Sequence, residues 1–101
     1  MFEQAYRYRF GNDADLAEAE ETLLLAILAA EGLYGRARVH VDAAYAVDRS
    51  IRALIVDAAG DVGEDINAVF TAFLLREFGG EGFAVRRVGR QRCRGEREDR
   101  P

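Results

Sequence analysis

The sequence has no tryptophan and no lysine, and only one histidine (His40), one cysteine (Cys93), one proline and one serine (Ser50) in 101 residues. All fourteen basic residues are therefore arginine. Without lysine there is neither Schiff-base chemistry nor a P-loop lysine to hold a phosphate. A single cysteine excludes a disulfide framework within the chain, and one cysteine beside one histidine cannot by themselves complete a zinc site. Hydroxyl nucleophiles are nearly as scarce, with Thr22 and Thr71 joining Ser50. Cys93 sits between Arg92 and Arg94 near the end of the chain, where a thiol has no placed base. No catalytic set, cofactor or metal centre is expected from these residues.

Long apolar runs are missing too. The longest, Thr22 to Ala30, is nine residues, about half of the roughly 20 that a membrane-spanning helix needs. The first ten residues, MFEQAYRYRF, contain no basic leader followed by an apolar stretch. The expectation is a cytoplasmic protein with no membrane partner.

What the chain does contain is ordinary globular material: 50% hydrophobic residues, 32% charged and ten glycines. The net charge of −4 is unevenly distributed, with an acidic body and an arginine-rich end. Residues 1–88 are expected to form a single α+β domain, and residues 89–101 a solvated, disordered tail without apolar period.

Within that domain the hydrophobic period changes several times. Residues 4–10 alternate Tyr6, Tyr8 and Phe10 against Arg7 and Arg9, a half-buried strand. Gly11-Asn12-Asp13 supplies a turn and helix caps, and Asp15 with Glu18 three places later gives the acidic start that favours a helix N-terminus, predicting a helix over 14–31. Gly32 then fits the left-handed end of that helix, with Leu33 touching Leu28. Residues 36–48 alternate again, with Ala37, Val39, Val41, Ala43, Tyr45 and Val47 on one side. They predict a second strand, joined by a turn of two or three residues near Asp48-Arg49-Ser50 to a third strand over 51–57. Asp61 and Glu64 read as a capping box opening a helix through Phe78, which Gly79-Gly80 stops, and FAVRRV at 83–88 gives a fourth strand.

The resulting order is β-α-β-β-α-β. It predicts a ferredoxin-like split βαββαβ fold, with both helices on one face of a four-stranded antiparallel sheet. That architecture is shared by many unrelated functions and selects none.

The helix faces carry more information. Leu16, Leu23, Ile27, Ala30 and Tyr34 fall on one arc of the first helix and are candidate core. Leu25 lies opposite that arc and Leu28 flanks it, so these two are candidate oligomer-interface residues. The second helix stacks Val62, Ile66, Val69, Phe70 and Phe73, and Glu77 continues that arc, where a carboxylate requires an arginine partner or a route to water.

The sheet face away from the helices is expected to carry Arg7, Arg9, Arg38, His40, Asp42 and Arg86, interleaved with Ala44, Ala46 and Ala84. Arg7, Arg9, Arg38, His40 and Arg86 are the candidate ligand-binding residues, suited to a small anion. The leading functional expectation is a homodimeric interaction or small-ligand-binding module without catalysis of its own. Two other classes compete with it. The first is nucleic-acid binding through Arg86, Arg87, Arg90, Arg92 and Arg94; it is disfavoured because no aromatic interleaves these arginines and the body is acidic. The second is a small enzyme with an anion-binding site on the open sheet face and a carboxylate as base.

Overall fold

The computed structural model describes residues 2–11 and 15–89. The arginine-rich segment beyond Gly89, with Arg90, Arg92, Cys93 and Arg94, lies outside the described residues. The elements are β1 (Gln4–Phe10), α1 (Leu16–Tyr34), α2 (Arg36–Asp42), β2 (Tyr45–Asp48), β3 (Ala53–Asp57), α3 (Asp61–Phe78) and β4 (Phe83–Gly89). This is an α+β fold with a four-stranded antiparallel sheet, ordered β2-β3-β1-β4, and three helices rather than the expected two. Among the described residues no helix is long and apolar enough to cross a membrane.

Helix α1 begins at Leu16, two residues later than expected, with Asp15 as its cap; the expected caps at Asn12 and Asp13 lie outside the described residues. The Asp15 carboxylate accepts hydrogen bonds from the amides of Ala17 and Glu18, at 2.9 and 3.3 Å, satisfying donors that a helix start otherwise leaves open. It does not stop at Gly32. The helix continues to Tyr34 and ends at Gly35, whose φ of 88° is open to glycine and costly for other residues. That turn admits α2 at once, which overturns the expectation of one long strand over 36–48. Alternating valines at 39 and 41 fit either period, and a partner strand has to decide between them. β3 has only five residues, and its pairing with β2 begins at Tyr45↔Val56. An extended segment from residue 36 would leave most of its backbone groups unpaired. As a helix the segment satisfies them internally, buries Val39 against the other helices and leaves Val41 in solvent. Arg38 pairs with Asp42 at 3.5 Å and lies 4.8 Å over the Tyr34 ring. The Tyr34 hydroxyl in turn donates to Asp65 of α3.

The hairpin between β2 and β3 is longer than expected. Asp48 pairs with Ala53, so residues 49–52 form the loop, pinned by Ser50, which donates to the Asp48 carboxylate through its amide (3.1 Å) and its hydroxyl (2.6 Å). Helix α3 begins at Asp61 as predicted, but Gly60 is its cap, so Asp61 is the first helical residue and not the capping one.

Tyr8, Phe10, Leu54 and Val56 project from the sheet into a core completed by Leu16, Ala19, Leu23, Ala26 and Ala30 of α1, Val39 of α2, and Val62, Ile66, Phe70 and Leu74 of α3. The buried arc of α1 is rotated from the expected one toward Ala19 and Ala26, and Ile27 and Tyr34 are only partly covered. The cause is α3, which lies alongside α1 and adds a second packing direction to the sheet. Small residues serve that side contact because they let the helix axes approach. Between the two helices Thr22 donates to the Glu77 carboxylate at 2.6 Å, and Glu77 is exposed, so this carboxylate has the route to water that its place on the arc requires.

Candidate functional site

The registers of the three strand pairings lay out the uncovered sheet face residue by residue. Ala5, Asp57 and Val88 form one row; Arg7, Ile55, Ala46 and Arg86 the next; Arg9, Ala53, Asp48 and Ala84 the third. Acidic side chains sit on β2 and β3, and basic ones on β1 and β4. An apolar hollow of about 400 Å³ lies between them, lined by Phe2, Ala5, Ala46, Ile55 and Val88 with Arg7 at its edge.

The basic half is unusual in its pairing. Arg7 and Arg86 are directly opposed across β1 and β4, and Arg9 follows on the same face. All three border a second hollow of about 350 Å³. Like charges at opposed positions destabilise a sheet unless an anion lies between them. The Nε of Arg7 is buried and makes no hydrogen bond among the described residues, although buried donors are nearly always paired. Asp48, on the acidic half, has its carboxyl held below the usual range by the Ser50 hydroxyl, then by backbone amides of Ser50 and Ile51 and by the charge of Arg7.

The expected ligand set is thus divided. Arg7, Arg9 and Arg86 share the open face with Ala46 and Ala84. Arg38, His40 and Asp42 do not, because they belong to α2, where His40 is exposed. His40 and Asp42 on α2 and Asp57 on β3 form no metal cluster, and no group of three such ligands exists among the described residues. Leu25 and Leu28 are exposed on α1, as anticipated, and Leu24 beside them is exposed as well.

Sequence reasoning missed a third concavity, which lies on the helix side of the sheet. Helix α3 leaves the inner face of edge strand β4 partly uncovered. The cleft between them is open to solvent, has a volume of about 410 Å³ and is lined by Tyr6, Tyr8, Glu64, Asn67, Ala68, Thr71 and Val85. At its floor the buried Tyr8 hydroxyl donates to Asn67 Oδ1 at 2.5 Å and lies 3.3 Å from the Thr71 hydroxyl. Burial pushes the Tyr8 phenol up to about 12, against a partial lowering by Thr71. Asn67 spends both amide protons on the carbonyls of Asp57 and Gly63, at 3.1 and 2.8 Å. At the mouth the Arg87 guanidinium lies 5.8 Å over the Tyr6 ring. The available signal was an asparagine and a threonine four residues apart in the midst of the apolar arc of α3.

The chain matches no protein-family model, no curated protein and no solved structure.

Proposed function

We propose that this protein is a self-associating binding module, a homodimer in which two copies meet through their uncovered sheet faces. The observation that carries the reading is the division of charge on that face: carboxylates on β2 and β3, guanidinium groups on β1 and β4, apolar residues between. A two-fold axis between the sheets and along the strands lays β3 of one copy on β1 of the other and β2 on β4. Each acidic half then meets a basic half. Arg7 and Arg86 come within one register step of Asp57 and Asp48 of the second copy, which add carboxylates to those whose charge Arg7 already feels in its own chain and offer an acceptor to its buried Nε. The strand order β2-β3-β1-β4 supports a ferredoxin-like arrangement with α2 inserted, whose open sheet face is free for such pairing.

The test is charge reversal followed by reciprocal reversal. Sedimentation equilibrium of the full chain is expected to give a dimer that Arg86→Glu dissociates, weakening it by at least tenfold, since like charges across an interface cost about 1.4 kcal/mol or more. Adding Asp48→Arg to that variant restores association. A monomeric parent protein, or dissociation by Leu25→Asp with Arg86→Glu without effect, removes the proposal; the second result assigns the interface to Leu25 and Leu28. If the parent is monomeric yet Arg7, Arg9 and Arg86 bind inorganic phosphate, the same arginines serve a small anion instead.

A further inference from the structure

The cleft between α3 and β4 is an open concavity with the volume of a small-molecule site, and its polar groups narrow the kind of ligand it could take. A cavity of about 410 Å³ falls within the range of roughly 300–1,000 Å³ typical of such sites. Its walls are the Tyr6 ring, Ala68 and Val85, and Val85 is 42% exposed although it faces the helix side of the sheet. The floor is a fixed network in which each hydrogen can be assigned. Both Asn67 amide protons are committed to backbone carbonyls, so Oδ1 is its acceptor toward Tyr8. The single Tyr8 proton goes to that oxygen. Thr71 must therefore donate to the Tyr8 oxygen, which leaves the lone pairs of Thr71 Oγ1 as the free polar feature at the bottom.

A buried, fully satisfied Tyr-Asn pair fixes the orientation of Thr71, as a supporting network should. The second acceptor along the wall is the Glu64 carboxylate. Charge at the mouth has both signs: Glu64 repels an anion, and Arg87, held on the Tyr6 ring, repels a cation.

We propose that the α3–β4 cleft binds a neutral, planar, largely apolar molecule carrying one N–H or O–H donor, of the phenol or indole class. The ring stacks between Tyr6 and Val85, and its donor reaches Thr71 Oγ1. The cleft lies on the helix side of the sheet and the pairing face on the other, so ligand binding and dimer formation fail or succeed separately.

The experiment is a titration of the ¹⁵N-labelled full chain by two-dimensional NMR with phenol, toluene, benzoate and benzylammonium. Phenol at roughly millimolar concentration is expected to shift the amides of Ala68, Thr71 and Val85. Toluene binds more weakly by about three- to tenfold, the value of one hydrogen bond, and both charged probes bind more weakly than phenol. Thr71→Val, which keeps the shape and removes the acceptor, brings phenol down to toluene. Ala68→Phe, at an exposed helix position, fills the cleft and abolishes binding with no loss of far-ultraviolet circular dichroism. Absence of shifts at the cleft with every probe, equal binding of phenol and toluene by the parent, or undiminished phenol binding by Ala68→Phe overturns the proposal.

Discussion

Tyr8 carries a hydroxyl into an otherwise apolar core and meets the edge of the Phe70 ring, with ring centroids 4.7 Å apart. Its hydroxyl is held by Asn67, and the two residues depend on each other. Tyr8→Phe leaves Asn67 Oδ1 buried without a donor, an expected loss of about 1–3 kcal/mol in urea unfolding at neutral pH. Alkaline titration gives an independent reading. A phenol whose folded pKa lies above its unfolded value contributes stability that is complete below the unfolded value of 10.0 and declines as pH rises through about 12. The parent protein is expected to lose stability across that window, and Tyr8→Phe to lose less. Tyr34 and Tyr45 are also raised, the first chiefly by its bond to Asp65 and the second by burial, so the slope is reduced and not abolished. Identical alkaline slopes in parent and variant would contradict this assignment. Tyr8 as a core residue was legible from its alternation in the first strand. Its partner was not, because an asparagine on a helix arc carries no mark of what lies opposite it.

At the scale of elements, β1, α3 and β4 follow their local patterns closely, and the region between α1 and β3 does not. Gly32 and Gly63 show why local reading succeeds in one place and fails in another. Nothing lies within 4 Å of a side chain added at Gly32, which is inside α1 and not at its end. Gly32→Ala is expected to raise stability by about 0.8–1 kcal/mol through helix propensity alone. Gly63, in the first turn of α3, is different. A Cβ there would stand 2.5 Å from the Asp57 carbonyl oxygen and 3.0 Å from the Ala58 Cα, both backbone atoms that cannot rotate away. Gly63→Ala is expected to cost about 1–3 kcal/mol by forcing α3 off the end of β3, and with it to disturb Asn67, which donates to that same Asp57 carbonyl and to the carbonyl of Gly63. Thermal unfolding of the two variants side by side checks both signs. Of the two glycines near the end of α1, the one with a positive φ is Gly35, and only the approach of α2 to the other helices distinguishes it from Gly32.

For the whole molecule, two faces of one sheet take different work. The helix side is filled except along β4, which creates the cleft; the opposite side carries the divided charge. If two copies pair through that charge, the melting temperature is expected to rise with protein concentration, since association stabilises the folded state by mass action. The dissociation constant is expected to rise with salt as the arginine–carboxylate pairs are screened. Calorimetry across a concentration series at two ionic strengths checks this, and a melting temperature independent of both would speak for a monomer.

The sequence by itself determined the α+β class, the strands β1 and β4, the limits of α3, the exposed leucines of α1 and the presence of Arg7, Arg9 and Arg86 on one sheet face. Each of these follows from side-chain period or local capping, which a short segment specifies alone. The tertiary structure decided that residues 36–42 coil instead of extending, because the partner strand is too short to satisfy them. It also separated Arg38 and His40 from the other candidates and brought Tyr8, Asn67 and Thr71 together across 59 and 63 residues of chain. Backbone pairing and buried polar satisfaction are settled between elements, and no local pattern encodes which element will be there to meet them.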